Sequence, residues 1–318
     1  MYYSTVDGDV RAVDGIDFQL DQHEVLGVVG ESGCGKSSLA ITLLKLLPTN
    51  SKILSGKILL DGQDIIPMED SEVRRKVRWV KIAMIPQGAM NSLNPVLRVD
   101  DQISEAMTVH GRTSRSEARA KTNELLRLVG VDPSRGRHYP HEFSGGMKQR
   151  AMIAMSLVLA PEILIADEPT TALDVIVQAG IVKVLLGIKD EFGTAILLIS
   201  HDLALVAQMS DRTAIMYAGK FVEYGSSREV YKSPLHPYTL GLVDAFADIR
   251  KPKKALVSIP GSPPNLIDPP QGCRFNPRCP YAKAVCREQE PELVEVSGNH
   301  SVACHFWREI QAQRGEER

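Results

Sequence analysis

The octapeptide Gly30-Glu31-Ser32-Gly33-Cys34-Gly35-Lys36-Ser37 constrains this chain more than any other stretch of it. It fits G-x-x-x-x-G-K-[ST] at every fixed position. Ahead of it runs Val25-Leu26-Gly27-Val28-Val29, an apolar segment of the length of a buried strand, and behind it Ser38 to Leu47 reads as a helix stopped by Pro48. Strand, glycine loop and helix in that order open a nucleotide-binding α/β unit. Glycines let the backbone curl around phosphate oxygens with its N–H groups aimed inward. The helix adds its positive N-terminal end. Candidate ATP contacts are therefore Gly30, Ser32, Gly33, Cys34, Gly35, Lys36, Ser37 and Ser38. Among them Lys36 is expected on the β- and γ-phosphates and Ser37 on Mg²⁺. Cys34 holds a variable position whose backbone matters more than its thiol, so it receives no redox role.

A second acidic feature belongs to the same chemistry. Ile163-Leu164-Ile165-Ala166-Asp167-Glu168 is an apolar strand ending in two carboxylates. Asp167 is placed to hold Mg²⁺ through its water shell, and Glu168 to polarise the attacking water as a general base, a role worth about 10²–10⁴-fold in rate. Without the glycine loop, two solvated acids capping a strand would be the simpler reading.

The rest of the chain supports an α/β class. Ile16 to Leu20 alternates apolar and polar residues like a half-buried strand, and Ala195 to Ile199 is another buried strand. Val175 to Lys189 reads as a helix. Thr213 to Tyr217 and Phe221 to Tyr224 read as a hairpin about Ala218-Gly219-Lys220. From about Leu93 to Met155 helical spacing takes over, as in Ser116 to Leu128, which marks a helical insertion. Near Tyr231 the composition turns rich in Pro and Gly, and a separate C-terminal module is expected from there.

Composition excludes several classes. With 318 residues, 43% hydrophobic and 24% charged, the chain suits one large domain plus a smaller appendage, or two ordinary domains. A formal net charge of −2 gives no general reason to expect nucleic acid as a partner. No stretch approaches the roughly 20 consecutive apolar residues of a membrane span; Ala151 to Ala166 is broken by Pro161 and Glu162. Met1 to Asp7 lacks the basic and apolar regions of a secretory signal.

Past these motifs the chain resembles the ABC transporter ATPases. Phe143-Ser144-Gly145-Gly146-Met147-Lys148-Gln149-Arg150 is similar to their LSGGQ signature, departing at Phe143 and Met147 but keeping the serine and glycines. Gln87 resembles the Q-loop glutamine, Ala172-Leu173-Asp174 the D-loop, and His201 the switch histidine, all in the family's order. The resemblance implies a cassette with a P-loop NTPase core, an antiparallel β subdomain and a helical subdomain at about 92–155, within an ATPase domain spanning 1–230. It implies that Glu168, His201 and Gln87 act on the γ-phosphate, that Gln87 also senses Mg²⁺, and that Tyr3 (with Tyr2 second) stacks on adenine. Ser144, Gly145, Gly146 and Gln149 would serve the nucleotide of a partner cassette, and Asp174 would cross between the two.

The C-terminal stretch narrows the resemblance. Tyr231 to Thr239, Pro260-Gly261-Ser262-Pro263-Pro264 and Gly272 to Pro280 look like the ending of oligopeptide and dipeptide importer ATPases, so 231–318 is expected as their C-terminal module. Here Cys273, Cys279, Cys286 and Cys304 are spaced C-x5-C-x6-C-x17-C. Zinc sites favour two C-x2-4-C pairs, whereas the corners of an iron–sulfur cube accept irregular spacing. The resemblance points to a [4Fe–4S] cluster. Zn²⁺, free thiols and disulfides remain alternatives, as do His300 and His305 as substitute ligands.

The implied function is ATP-driven import of di- or oligopeptides, from the cytoplasmic face of the cell membrane. The implied partners are a second ATPase subunit (itself or a paralogue), two membrane-spanning permeases and, through them, an extracytoplasmic solute-binding protein. Nickel or oligosaccharide import by the same engine, and a soluble ABC ATPase outside transport, are the rival readings.

Overall fold

The computed structural model describes residues 1–110, 113–245 and 259–316. Of the expected helical insertion (about 92–155), positions 111–112 lie outside that set, and of the C-terminal segment (231–318), positions 246–258 and 317–318 do. Two units emerge, one made of Met1–Gln19, Leu26–Gly56 and Ile199–Arg318, the other of Leu20–Val25 and Lys57–Leu198.

In the first unit, sheet strands run in the order Val294–Ser297, His300–Val302, Lys220–Ser226, Arg212–Tyr217 and Val25–Val29. All five residues of Val25–Val29 are buried, as its unbroken apolar run requires. That strand pairs in parallel with Arg212–Tyr217, with Leu26 opposite Arg212 and Val29 opposite Ile215. The hairpin appears as expected. Its turn residues Ala218 and Gly219 have φ of 48° and 85°, the pair of positive values a two-residue hairpin turn needs to match strand twist. A smaller antiparallel sheet joins Gly8–Val10, Tyr2–Thr5 and Ser51–Lys52.

Two local expectations are corrected here. Ile16 to Leu20 forms no strand, although its burial does alternate. The Gln19 carbonyl accepts a guanidinium N–H of Arg212 at 2.8 Å instead of a ladder partner. The helix after the glycine loop is Lys36–Leu43 rather than Ser38 to Leu47. It stops early because Lys45 turns left-handed (φ 49°). The Leu46 and Lys45 amides then reach back to the Ile41 and Thr42 carbonyls at 2.9 and 3.0 Å, closing a Schellman cap before Pro48 is reached.

In the second unit, Ala195–Ser200, Ile163–Asp167 and Ile82–Ile85 lie side by side in that order. The last two pair in parallel from Ile82 opposite Ile163 to Ile85 opposite Ala166. The helical insertion is Val99–Val109, Arg115–Leu128 and Gly145–Ser156. Ser114 and Glu117 form a capping box that starts the second of these. Val175–Phe192 is the long helix foreseen, ended by Gly193 at φ 69°. Among the described residues no helix is long and apolar enough to cross a membrane.

Candidate functional site

In the first unit the glycine loop leaves Val25–Val29 and turns into Lys36–Leu43. Its glycines are required by space and by conformation. A Cβ on Gly30 would come within 2.1 Å of the Met216 carbonyl oxygen, and one on Gly35, whose φ is 109°, within 2.0 Å of that of Ala12. Lys36 is buried at 8% exposure. Its Nζ lies inside the curl of the loop, donating to the Gly30 and Glu31 carbonyls at 2.7 and 3.0 Å. That position puts a fixed positive charge where phosphate oxygens would gather. The Ser32 and Ser37 side chains stand exposed beside it.

Cys34 is buried, and burial raises its thiol pKa against the pull of Lys36. Its carbonyl accepts the Gly219 amide at 2.8 Å, so its backbone is what the loop uses. The two N-terminal tyrosines diverge. Tyr3 donates to Ser38 Oγ at 3.1 Å, on the first turn of the loop's helix, whereas Tyr2 donates to Asp14 at 2.8 Å. His201 is exposed, directly after Ala195–Ser200 and before a helix capped by Asp202.

The second unit carries the acids. Asp167, 2% exposed, closes Ile163–Asp167, and half-buried Glu168 follows in the left-handed region at φ 52°. A non-glycine residue held there costs about 1–3 kcal/mol, the kind of strain that collects at working sites. The Thr171 hydroxyl donates to Glu168 Oε2 at 2.7 Å. Exposed Gln87 leaves the neighbouring parallel strand two residues after Ile85, which is paired with Ala166. Strand register therefore delivers Gln87 and the two acids to the same edge.

Ser144 caps Gly145–Ser156, accepting the Met147 amide at 3.3 Å. Gly145 and Gly146 make its first turn, and a Cβ on them would meet Met90 Sδ at 2.9 Å and Val177 Cγ1 at 2.6 Å. Phe143 is buried, so its departure from the signature is a packing choice. Gln149, grouped with these residues from sequence, is only 4% exposed. Asp174 caps Val175–Phe192 through the Val177 amide at 2.9 Å, next to exposed Val175 and Ile176.

In the C-terminal segment Cys273, Cys279, Cys286 and Cys304 line one small recess, partly open to solvent. Burial pushes the Cys273 thiol up to about 11 and that of Cys304 to about 12, and raises Cys279. Among the described residues no three His, Cys, Asp or Glu side chains converge on a single-ion site. His305 also lines the recess. His300 does not; it is buried, with Nε2 2.7 Å from Oε1 of wholly buried Glu223. Glu223 also accepts the Leu235 and His236 amides, each at 2.8 Å.

Sequence reasoning missed several residues that brace the loop. Arg278 forms a two-pronged ion pair with Glu31 at 2.7 and 3.0 Å, and Tyr238 accepts the Glu31 amide at 2.9 Å. Arg274 pairs with Asp14 and donates to the Ala218 carbonyl. The signal available was two arginines inside Cys273 to Cys279.

Residues 13–171 match the ABC transporter family, and residues 222–286 match the family described as "Oligopeptide/dipeptide transporter, C-terminal region". The chain is 46% identical over 304 residues to "Oligopeptide transport ATP-binding protein OppD" of Escherichia coli strain K12, covering 95% of this chain and 89% of that protein. It is 41% identical over 309 residues to "Dipeptide transport ATP-binding protein DppD" of Caldanaerobacter subterraneus subsp. tengcongensis, covering 96% and 94%. Among solved structures it is similar to the ATP-binding cassette MJ0796 in a post-hydrolysis state bound to ADP and Pi. That likeness has a TM-score of 0.64 and 25% identity, over 71% of this chain and 95% of that one.

Proposed function

The chain belongs to the ABC transporter family, and from that premise we propose that it is the ATP-hydrolysing subunit of an importer of dipeptides or oligopeptides. The observation that carries this is the joining of a formed phosphate loop to the peptide-transporter C-terminal region in one chain. The names of its relatives in two organisms support the peptide substrate.

In this reading Lys36 and the loop amides hold the β- and γ-phosphates, and Tyr3 flanks the adenine. Glu168 holds the attacking water and draws its proton as bond formation begins, with His201 and Gln87 ordering the γ-phosphate end. Ser37 and Asp167 would hold Mg²⁺. The hard oxygen donors suit it: an exposed hydroxyl on a helix's first turn and a buried carboxylate at a strand end. Held by these two side chains, Mg²⁺ would supply charge neutralisation at the phosphates. Ser144, Gly145 and Gly146 serve the nucleotide of a second cassette, itself or a paralogue, with Gln149 supporting their helix from within. The exposed apolar pair Val175 and Ile176, after Asp174, suits burial against that cassette. Two permeases, a solute-binding protein beyond them and a cytoplasmic station at the membrane complete the assembly.

We further propose that 231–318 acts as a cysteine module holding a [4Fe–4S] cluster. Its support is that four thiols line one recess, at spacings irregular enough for the corners of a cube. The test of the function is uptake of labelled di- and oligopeptides, nickel and oligosaccharides by the reconstituted complex. Peptide uptake that requires ATP is expected; ATP-driven uptake of nickel or sugars alone would overturn the peptide assignment.

A further inference from the structure

Glu31 is the odd member of the phosphate loop. It is the second residue of a loop meant for a polyanion, and it carries a carboxylate of its own. The structure neutralises that charge from far along the chain. Arg278 Nη1 and Nη2 donate to Glu31 Oε2 and Oε1 at 2.7 and 3.0 Å, a planar fork on a carboxylate. The arginine is itself fixed, 7% exposed, with Nε donating to the Pro260 carbonyl at 2.7 Å and Nη1 to the Tyr217 hydroxyl at 3.2 Å. The Glu31 amide is held as well, by the hydroxyl of Tyr238 at 2.9 Å. Tyr238 is fully buried against the rings of Tyr217 and Phe275, at centroid distances of 4.7 and 5.4 Å. Phe275 and Arg278 lie between Cys273 and Cys279, and Phe275 lines the cysteine recess.

We propose that Arg278 and Tyr238 are positioning residues for nucleotide binding, Arg278 by cancelling the Glu31 charge at the phosphate loop and Tyr238 by fixing the loop's backbone. This makes the C-terminal segment a working part of the ATP site. The inference rests on the reading of the loop as that site and not on what the cysteines hold. An unpaired carboxylate at the loop repels the incoming phosphates, while the same residue paired to a fixed guanidinium presents no net charge.

The test is titration of the full-length chain with a fluorescent ATP analogue and Mg²⁺. Arg278→Gln should weaken binding about tenfold, and Arg278→Lys, which keeps the charge, should lose less. Adding Glu31→Gln to Arg278→Gln should restore most of the affinity, because the repelling group is gone. A folded R278Q protein that binds as tightly as the unaltered chain overturns the proposal. So does a double variant as weak as R278Q, which would leave Arg278 a merely structural brace. Should R278Q fail to fold, Tyr238→Phe carries the test: severalfold weaker binding is expected, and unchanged binding refutes it. An unaltered chain that binds no nucleotide would instead overturn the ATPase reading beneath it.

Discussion

Glu168 pairs the chemistry of a general base with a backbone that few residues tolerate. Its φ of 52° fixes the carboxylate just past a buried strand, and the Thr171 hydroxyl steadies one oxygen. Replacing Glu168 with Gln keeps size and backbone but removes basicity. ATP binding should stay within about twofold, while ATPase turnover of the assembled transporter should fall about 10²–10⁴-fold. Turnover above a tenth of the original would assign the base elsewhere. At this scale the sequence was legible wherever chemistry is local: the loop, the two acids, the signature serine and His201 each announce themselves by their neighbours. Glu31 did not. It occupies a variable position of its motif, and its partner Arg278 lies 247 residues away, beyond any pattern of spacing.

Between elements, the tie that matters most is a single carboxylate. Glu223, in Lys220–Ser226, is wholly buried and accepts the Leu235 and His236 amides while lying 2.7 Å from His300 on the adjacent strand. It joins the hairpin, the turn into Pro237–Ala245 and the strand His300–Val302. Removing one buried acceptor with several partners leaves donors unpaired at about 1–3 kcal/mol each. Glu223→Ala should therefore cost about 3 kcal/mol or more, read as a lower urea midpoint at unchanged slope; a loss below about 1 kcal/mol would show that water replaces the carboxylate. The elements themselves were largely readable, because buried strands are continuous apolar runs and Ala218-Gly219 breaks the hairpin cleanly. The failures have physical causes. Ile16 to Leu20 has a strand's alternation but spends the Gln19 carbonyl on Arg212, and Lys45 ends its helix through a left-handed turn that favours glycine.

At the scale of the whole molecule, the two family matches, residues 13–171 and 222–286, mark an engine and an appendix. The cysteine recess gives the appendix a measurable content. Chain purified without oxygen should carry about four iron and four labile sulfide per polypeptide, with broad visible absorbance that Cys286→Ser abolishes. Stoichiometric zinc without sulfide would remove the cluster from this account. Spacing alone left cluster and zinc side by side; the distribution of the four thiols around one recess is a tertiary property that no run of sequence displays.

The ion pair between Glu31 and Arg278 also sets an order of events in the life of each molecule. A ribosome adds the arginine 247 residues after the carboxylate, an interval of roughly 12–50 s at about 5–20 residues per second. Until Tyr238 and then Arg278 are added, the nascent chain carries a glycine loop whose amide lacks the Tyr238 hydroxyl and whose carboxylate lacks the Arg278 guanidinium. The two contacts close only after both residues are made, so a polypeptide cut short before Tyr238 and Arg278 carries the whole phosphate-loop motif yet lacks both of its braces.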